Sequence, residues 1–343
     1  MAKTALILGG GAPNATLMAG ALVAFEEAGV RFDVVSTAGA GALIGLLYLA
    51  PAKGSPAEAL AATMGMGVAD EIYQHYPVNY KVFQKPGAVA DLYRKMLQMN
   101  PVAQFLANQH GDSQIEKLFA DWMQLCYASF CPTDLTPQSL GLCSAVPFLE
   151  DTVDFAKLDR PGCPNFYLNA YNIDERRMQT FASRQGHVTA DSVRAALAFP
   201  FLYPPHAMVN PESGRQCWYY EGAAHDCLNY KALVDHEPEV THIVVFDILG
   251  ADELMRTPRD LYDAWMLSII VPQVAIAQDD TKLFEAVHNK KHKKTLLKMP
   301  FDIPADRWET SLDWSRSNLE GLFAIGKRSA ERFLEKEGAL LCR

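Results

Sequence analysis

Residues 4–8 (Thr-Ala-Leu-Ile-Leu) form an apolar run that meets Gly9-Gly10-Gly11, which predicts a fully buried parallel strand entering a tight turn. A helix follows, with Leu17, Ala21, Ala24 and Phe25 on its apolar face, Glu26 and Glu27 at its far end and Gly29 placed to stop it. Residues 31–35 (Arg-Phe-Asp-Val-Val) predict a second strand, and residues 42–50 a second helix ended by Pro51. Strand, helix, strand and helix with short connections is the pattern of an α/β protein with a parallel sheet.

From Pro56 to about Phe130 the pattern changes to helices rich in Met and aromatics (Met64, Met66, Tyr73, Tyr76, Tyr80, Phe83, Tyr93, Met96, Met99), interrupted by Pro77, Pro86 and Pro101. We read this as a helical insertion on the sheet, serving either as a lid over an apolar pocket or as ordinary core. Strand signals return at residues 166–170, 179–181 and 241–246, with a helix over 192–198 ended by Pro200. Residues 254–341 read as amphipathic helices, and no internal repeat stands out.

Composition narrows the function classes. Lys and Arg number 31 against 40 Asp and Glu, a formal charge of −9, and 49% of residues are hydrophobic. Such a chain has material for a large core and no basic stripe for nucleic acid phosphates, so no nucleic-acid partner is expected. The seven Cys form no C-x-x-C pair and no zinc spacing, so neither a metal nor a cofactor is expected, and reduced thiols fit a cytoplasmic setting. The apolar run before Gly9 is too short for a signal-peptide core. The charge-free stretch 34–52 holds three Gly and a Pro and reads as strand, turn and helix rather than a membrane span. The dense basic run, His288 to Lys294, suits either a solvated helix end or contact with anionic lipid headgroups.

Two glycine-rich turns are candidate chemistry. At Gly9, Gly10 and Gly11, free N–H groups and a helix start can hold an anion or oxyanion, although a purely structural turn fits as well. A dinucleotide fingerprint would need Gly where Asn14 stands, while Asp33 lies at a ribose-contact distance along the chain. The second turn, Thr37-Ala38-Gly39-Ala40-Gly41, sits where a nucleophile elbow G-x-S-x-G would be built, but with Gly39 at the nucleophile position. Further along, Glu221, His225 and Asp226 lie between Cys217 and Cys227, a spacing compatible with an acid/base or metal group. Ser36 and Thr37 flank the vacant position but fall off the turn apex.

These motifs resemble those of the patatin-like phospholipases, over nearly the whole chain. In that family a GGG loop leads to a helix ending L-x-x-L-E-E-x-G, and D-V-V-x-G-T-S-A-G-A-L carries the catalytic Ser. Here residues 22–29 (LVAFEEAG) and 33–43 (DVVSTAGAGAL) align without a gap. The family's A-S-x-A-x-P-x-x-F-x-P segment appears at 195–205 (AALAFPFLYPP), and its D-G-G/A loop as Glu221-Gly222-Ala223 after Trp218-Tyr219-Tyr220. The resemblance implies a three-layer fold of one domain over 1–343. Residues 55–130 would form a helical insertion or lid, and 254–343 a C-terminal helical region.

The resemblance also implies roles. Gly39 takes the position of the nucleophile and Glu221 that of the base, Gly9 to Gly11 form the oxyanion loop, and Asn14, Tyr219 and Tyr220 border the ligand pocket. The family consists of acyl hydrolases, but Gly39 has no side chain to form an acyl-enzyme. Glu221 is one methylene longer than Asp, and Pro13 in the oxyanion region has no N–H to donate. Thr37, Gly39, Pro13 and Glu221 departing together points to a homologue that has lost Ser-dependent hydrolysis, more than to a single engineered change. The expectation is an inactive lipid-binding or acyl-binding protein with an apolar small-molecule ligand and peripheral membrane contact. The alternatives are a repurposed enzyme using Glu221 as acid/base, an engineered inactive hydrolase, and a scaffold or subunit of a complex.

Overall fold

The computed structural model describes residues 3–11, 14–107, 113–248, 252–310 and 312–341. Its strands are β1 (Lys3–Leu8), β2 (Val34–Thr37), β3 (Asn165–Asn172), β4 (Arg177–Ala182), β5 (His206–Val209), β6 (Gln216–Glu221), β7 (Val240–Asp247) and β8 (Thr295–Pro300). Its helices are α1 (Ala15–Glu27), α2 (Ala40–Leu49), α3 (Pro56–Ala61), α4 (Asp70–Tyr73), α5 (Ala88–Met99), α6 (Pro101–Ala107), α7 (Gln114–Phe130), α8 (Leu149–Thr152), α9 (Ala190–Ala196), α10 (Tyr230–His236), α11 (Leu261–Leu283), α12 (Asn289–His292) and α13 (Arg316–Leu341).

The strands join one sheet in the order β5-β6-β3-β2-β1-β7-β8, with β4 also paired to β3. β3, β2, β1, β7 and β8 run parallel, while β4 and β6 pair antiparallel with β3, and β5 antiparallel with β6. Side chains alternate across the sheet, so each central strand feeds two cores. Leu6 and Leu8 join the core with Met18, Leu22, Phe25 and Leu322, while Ala5 and Ile7 join the opposite core with Leu233, Ile270 and Val274. The expected three-layer α/β arrangement with a mainly parallel sheet is what the chain builds.

Several elements differ from their sequence reading. α1 is buried all round from Thr16 to Phe25 rather than on one face, because α13 covers its outer side. The two helices approach until a Cβ on Gly20 would lie 3.1 Å from the backbone N of Lys327, and a Cβ on Gly326 2.8 Å from the carbonyl carbon of Leu17. β2 starts at Val34, not Arg31, because Asp33 turns its carboxylate back to accept the N–H of Thr4 at 2.8 Å. Ser36 and Thr37 consequently belong to the strand. Within the region read as wholly helical lies β8, where Lys298 breaks the apolar run and only Met299 is fully buried. An edge strand of that kind carries little periodic signal.

The insertion splits into two kinds of surface. Leu60, Ile72, Tyr73, Tyr80 and Val82 are core, whereas Val89, Leu92, Met96 and Met99 form an exposed stripe on α5, and Ile115, Phe119 and Trp122 another on α7. Pro101 opens α6 rather than interrupting a helix. The helical stretch Leu261–His292 is long and apolar enough to cross a membrane by length and composition, and it packs Met266, Ile270 and Val274 into the second core.

Candidate active site

β3 assembles the site. Along one of its edges Leu168 pairs with Thr37, the last residue of β2, and two residues later Ala170 pairs with Glu221, the last residue of β6. β2 runs parallel to β3 and β6 antiparallel, so their C-terminal ends meet head-on. Gly39, just past β2, caps the N-terminus of α2 with φ 49° and ψ −133°, a conformation that disfavours any side chain. A Cβ built there would collide with Glu221 Oε1 and lie 3.0 Å from Ala223 Cβ. The Glu221 carboxyl therefore fills the space above the Gly39 turn.

The turn after β1 closes against the same loop. A Cβ on Gly10 would lie 3.2 Å from Ala223 Cβ, one on Gly9 3.0 Å from the Leu228 side chain, and Gly11 adopts φ 117°. The Ala38 N–H donates to the Leu8 carbonyl at 3.1 Å, fastening the two glycine turns together. Gly9, Gly10, Gly11, Gly39 and Glu221 thus share one locality. The inference about Pro13 lies outside the described residues.

Glu221 is only 8% exposed, and among the described residues no donor or cation reaches its carboxyl. Burial without compensation pushes its pKa up to about 8, so the neutral acid prevails at pH 7. Its backbone N–H donates to the Ala198 carbonyl at 3.0 Å, tying it to the 195–205 segment.

The carboxyl faces an apolar cavity of about 180 Å³. Gly11, Ala15, Thr16, Ala40, Leu43 and Ile44 form its wall on the α1 and α2 side. The insertion contributes Thr63, Met66, Val82 and Phe83, the 195–205 segment Leu197, Phe199, Leu202 and Tyr203, and α11 Trp265, Met266, Ile269, Ile270 and Gln273. Glu221 is the one carboxyl among the lining residues. The contribution of α11, and Gln273 in particular, was invisible in the sequence, where residues from 254 onward read simply as amphipathic helix.

Other predicted residues fall elsewhere. Asn14 is buried next to the cavity wall, with Oδ1 unpartnered among the described residues, but does not line the cavity. Tyr219 and Tyr220 do not line it either. Tyr219 alternates into the core, where its hydroxyl donates to Gln179 Oε1 at 3.0 Å and accepts from Asn172 Nδ2 at 3.2 Å. Their place as pocket residues is corrected: alternation turns Tyr220 to the other face, and Tyr219, on the same face as Glu221 but two residues back along β6, is held in the core by Gln179 and Asn172.

Ser36 donates to the Asn229 carbonyl at 2.9 Å and Thr37 to the Tyr167 carbonyl at 2.8 Å, both fully buried, so neither hydroxyl is a nucleophile. His225 stacks on Tyr171 with ring centroids 4.2 Å apart. Asp226 accepts the Asn229 N–H at 2.6 Å, and Asp280 of α11 accepts the Cys227 N–H at 2.8 Å. Burial pushes both acids up, Asp280 to about 7 with the neighbouring Asp226 charge adding to the effect. Cys217 and Cys227 are buried, and desolvation raises the Cys227 thiol far out of the reactive range. This group pins the loop beneath Ala223 to α11.

A family model described as Patatin-like phospholipase matches residues 6–234. No match is found among curated proteins. Two solved structures resemble the chain: VipD from Legionella pneumophila and human GIVD cytosolic phospholipase A2. VipD is 12% identical at a TM-score of 0.38, the match covering 97% of this chain and 66% of VipD. The human protein is 10% identical at a TM-score of 0.48, with 99% and 62% covered. The chain spans less than two thirds of the length of either.

Proposed function

The chain belongs to the patatin-like phospholipase family, and we propose that it is a member that binds an acyl lipid without hydrolysing it through a serine. One observation carries this reading: at the head of an apolar cavity, the Glu221 carboxyl fills the space that a side chain on Gly39 would occupy. Covalent acyl transfer needs a nucleophile at that turn. Without one, an oxyanion hole and binding leave only about 10³ to 10⁴ over water, negligible beside a competent lipase. A cavity of about 180 Å³ exceeds the roughly 150 Å³ apolar void that holds benzene, which leaves room for part of an acyl chain.

Membrane contact belongs to the same proposal. The exposed stripes of α5 and α7 lie in residues 74–131, where five Lys and Arg face four Asp and Glu, while the whole chain stands at −9. An anionic bilayer therefore repels this stretch less than it repels the chain as a whole.

The test is threefold on purified protein. A fluorophosphonate probe should label no Ser, and p-nitrophenyl esters should not turn over. Native mass spectrometry should show a bound lipid that Leu43→Trp, which fills the cavity, displaces. Covalent labelling, or a ligand-free protein, would overturn the reading.

A second reading takes Glu221 as a general acid in another reaction at the same pocket, favoured by its neutral state near pH 7. It requires a turnover that Glu221→Gln abolishes.

A further inference from the structure

Among the described residues Glu221 is a carboxyl with no partner in a cavity whose lining is mainly apolar. An unpaired buried acid is costly unless something arrives to satisfy it. What could satisfy it is constrained by its surroundings. α2 begins at Ala40 and α1 at Ala15, both of which line the cavity. Among the described residues neither N-cap, Asn14 or Gly39, makes a side-chain capping bond, and both helices start on the side where Glu221 lies. A neutral carboxyl beside two uncapped helix ends is complementary to a second carboxyl group. The pair holds one proton in a short charge-assisted hydrogen bond, and the remaining negative charge faces the helix ends.

We propose that this site selects the free carboxyl end of an acyl chain, a carboxylic acid rather than an ester or alcohol, by sharing one proton between Glu221 and the ligand. This rests on the lipid-binding reading above. The proton belongs to Glu221 before binding and the ligand enters as its carboxylate, so the complex carries one net negative charge and no proton is released. An ester offers only a weaker neutral acceptor and brings an alkoxy group that needs extra room. An alcohol satisfies Glu221 once and leaves the helix ends without an anion.

The titratable groups that face Glu221 are Tyr203, from the 195–205 segment, and Cys227, from the loop below Ala223, with Asp226 and Asp280 behind Cys227. Desolvation holds both Tyr203 and Cys227 in the neutral form well beyond pH 8. Asp280, pushed up to about 7 by burial and by the Asp226 charge, changes its own charge within the working range. Its variant Asp280→Asn is therefore a control for any pH effect.

The experiment measures binding of octanoate, 1-octanol and methyl octanoate by calorimetry to the full chain between pH 6 and 9. Octanoate should bind about 10- to 100-fold more tightly than the other two at pH 6.5, the range expected for a hydrogen bond to a charged group. Its affinity should fall above pH 8 while that of 1-octanol stays level, and Asp280→Asn should keep this profile. Glu221→Gln, which cannot ionise, should remove the fall in octanoate affinity above pH 8, and Glu221→Leu, which can neither donate nor accept, should erase the preference for the acid. Equal binding of the three probes, or a preference that survives Glu221→Leu, would overturn acid selection and leave lipid binding standing. Binding of none of them would overturn both.

Discussion

Glu221 carries its carboxyl into the space that a side chain on Gly39 would need, because Gly39 follows β2 and Glu221 ends β6, strands that run toward each other along one edge of β3. Each residue makes the other tolerable. Glycine accepts φ 49° without a Cβ clash, and its missing side chain leaves the volume into which the longer acid folds.

Gly39→Ala should therefore destabilise the protein by more than the roughly 1–3 kcal/mol of a strained backbone position. In Glu221→Ala the space opens, so the double variant should be less damaged than the two single losses added together. A coupling of about 0.5–3 kcal/mol is expected for residues in contact. Urea unfolding of the four proteins measures it. Strict additivity would mean that the two side-chain volumes do not compete.

The raised pKa of Glu221 fixes a pH dependence. In the unfolded chain the group ionises near 4.5, and in the folded chain at about 8. Between those values the folded protein holds a proton that the unfolded chain has released, so stability falls as pH rises through the window and levels above it. The slope from one such group is at most about 1.4 kcal/mol per pH unit. Asp280, moved from 3.8 to about 7, acts in the same direction over a lower window. Glu221→Gln should become progressively more stable than the parent from about pH 5 to pH 8, with a constant difference beyond. A difference independent of pH would show that the acid is not held neutral by the fold.

Much of this architecture was legible in the sequence, for physical reasons. β1 and β7 carry the unbroken apolar runs 5–8 and 243–246, buried on both faces, and glycines mark the turns where backbones approach. The head-on meeting of Gly39 and Glu221 was legible only as two motifs, since 182 residues separate them and register alone brings them together. Two things were beyond reach. One is β8, whose edge position demands few apolar residues. The other is the basic run before it: Lys294 is buried, donating to the carbonyls of Glu237, Pro238 and Val240, so it ties the end of α10 to β7 while its exposed neighbours Lys290 and Lys291 remain in solvent. A charge pattern does not say which Lys turns inward.

Tyr219 separates packing from binding. Removing its hydroxyl in Tyr219→Phe leaves Asn172 Nδ2 and Gln179 Oε1 short of a partner in the core, which should lower stability by about 1–3 kcal/mol. Because the ring does not line the cavity, octanoate affinity should stay within experimental error. A stability loss with unchanged calorimetric binding is the expected pair of results, and weakened binding at full stability would return Tyr219 to the pocket.

Asp121 of α7 decides whether the insertion acts as a wall of the cavity. Only 2% exposed, it accepts from Lys81 at 2.8 Å, from Arg316 of α13 at 2.9 Å and from the N–H of Ala69 at 2.7 Å. It thus joins three parts of the chain distant in sequence. Lys81 is itself largely desolvated, its pKa lowered by burial and held up by Asp121. Breaking such an arrangement from one side leaves two cations without their acid, a loss of about 3–5 kcal/mol. The exposed pair Arg177–Glu212 is the contrast, since severing it by Glu212→Gln should change stability by no more than about 1 kcal/mol. The damage from Asp121→Ala should also be local. Met66, Val82 and Phe83 reach the cavity from the insertion, so faster amide exchange over residues 66–131 should accompany weaker octanoate binding, while amides of β1 and β7 keep their protection. Exchange that rises equally in the sheet and the insertion would mean that the two unfold as one unit and that Asp121 is not the strut between them.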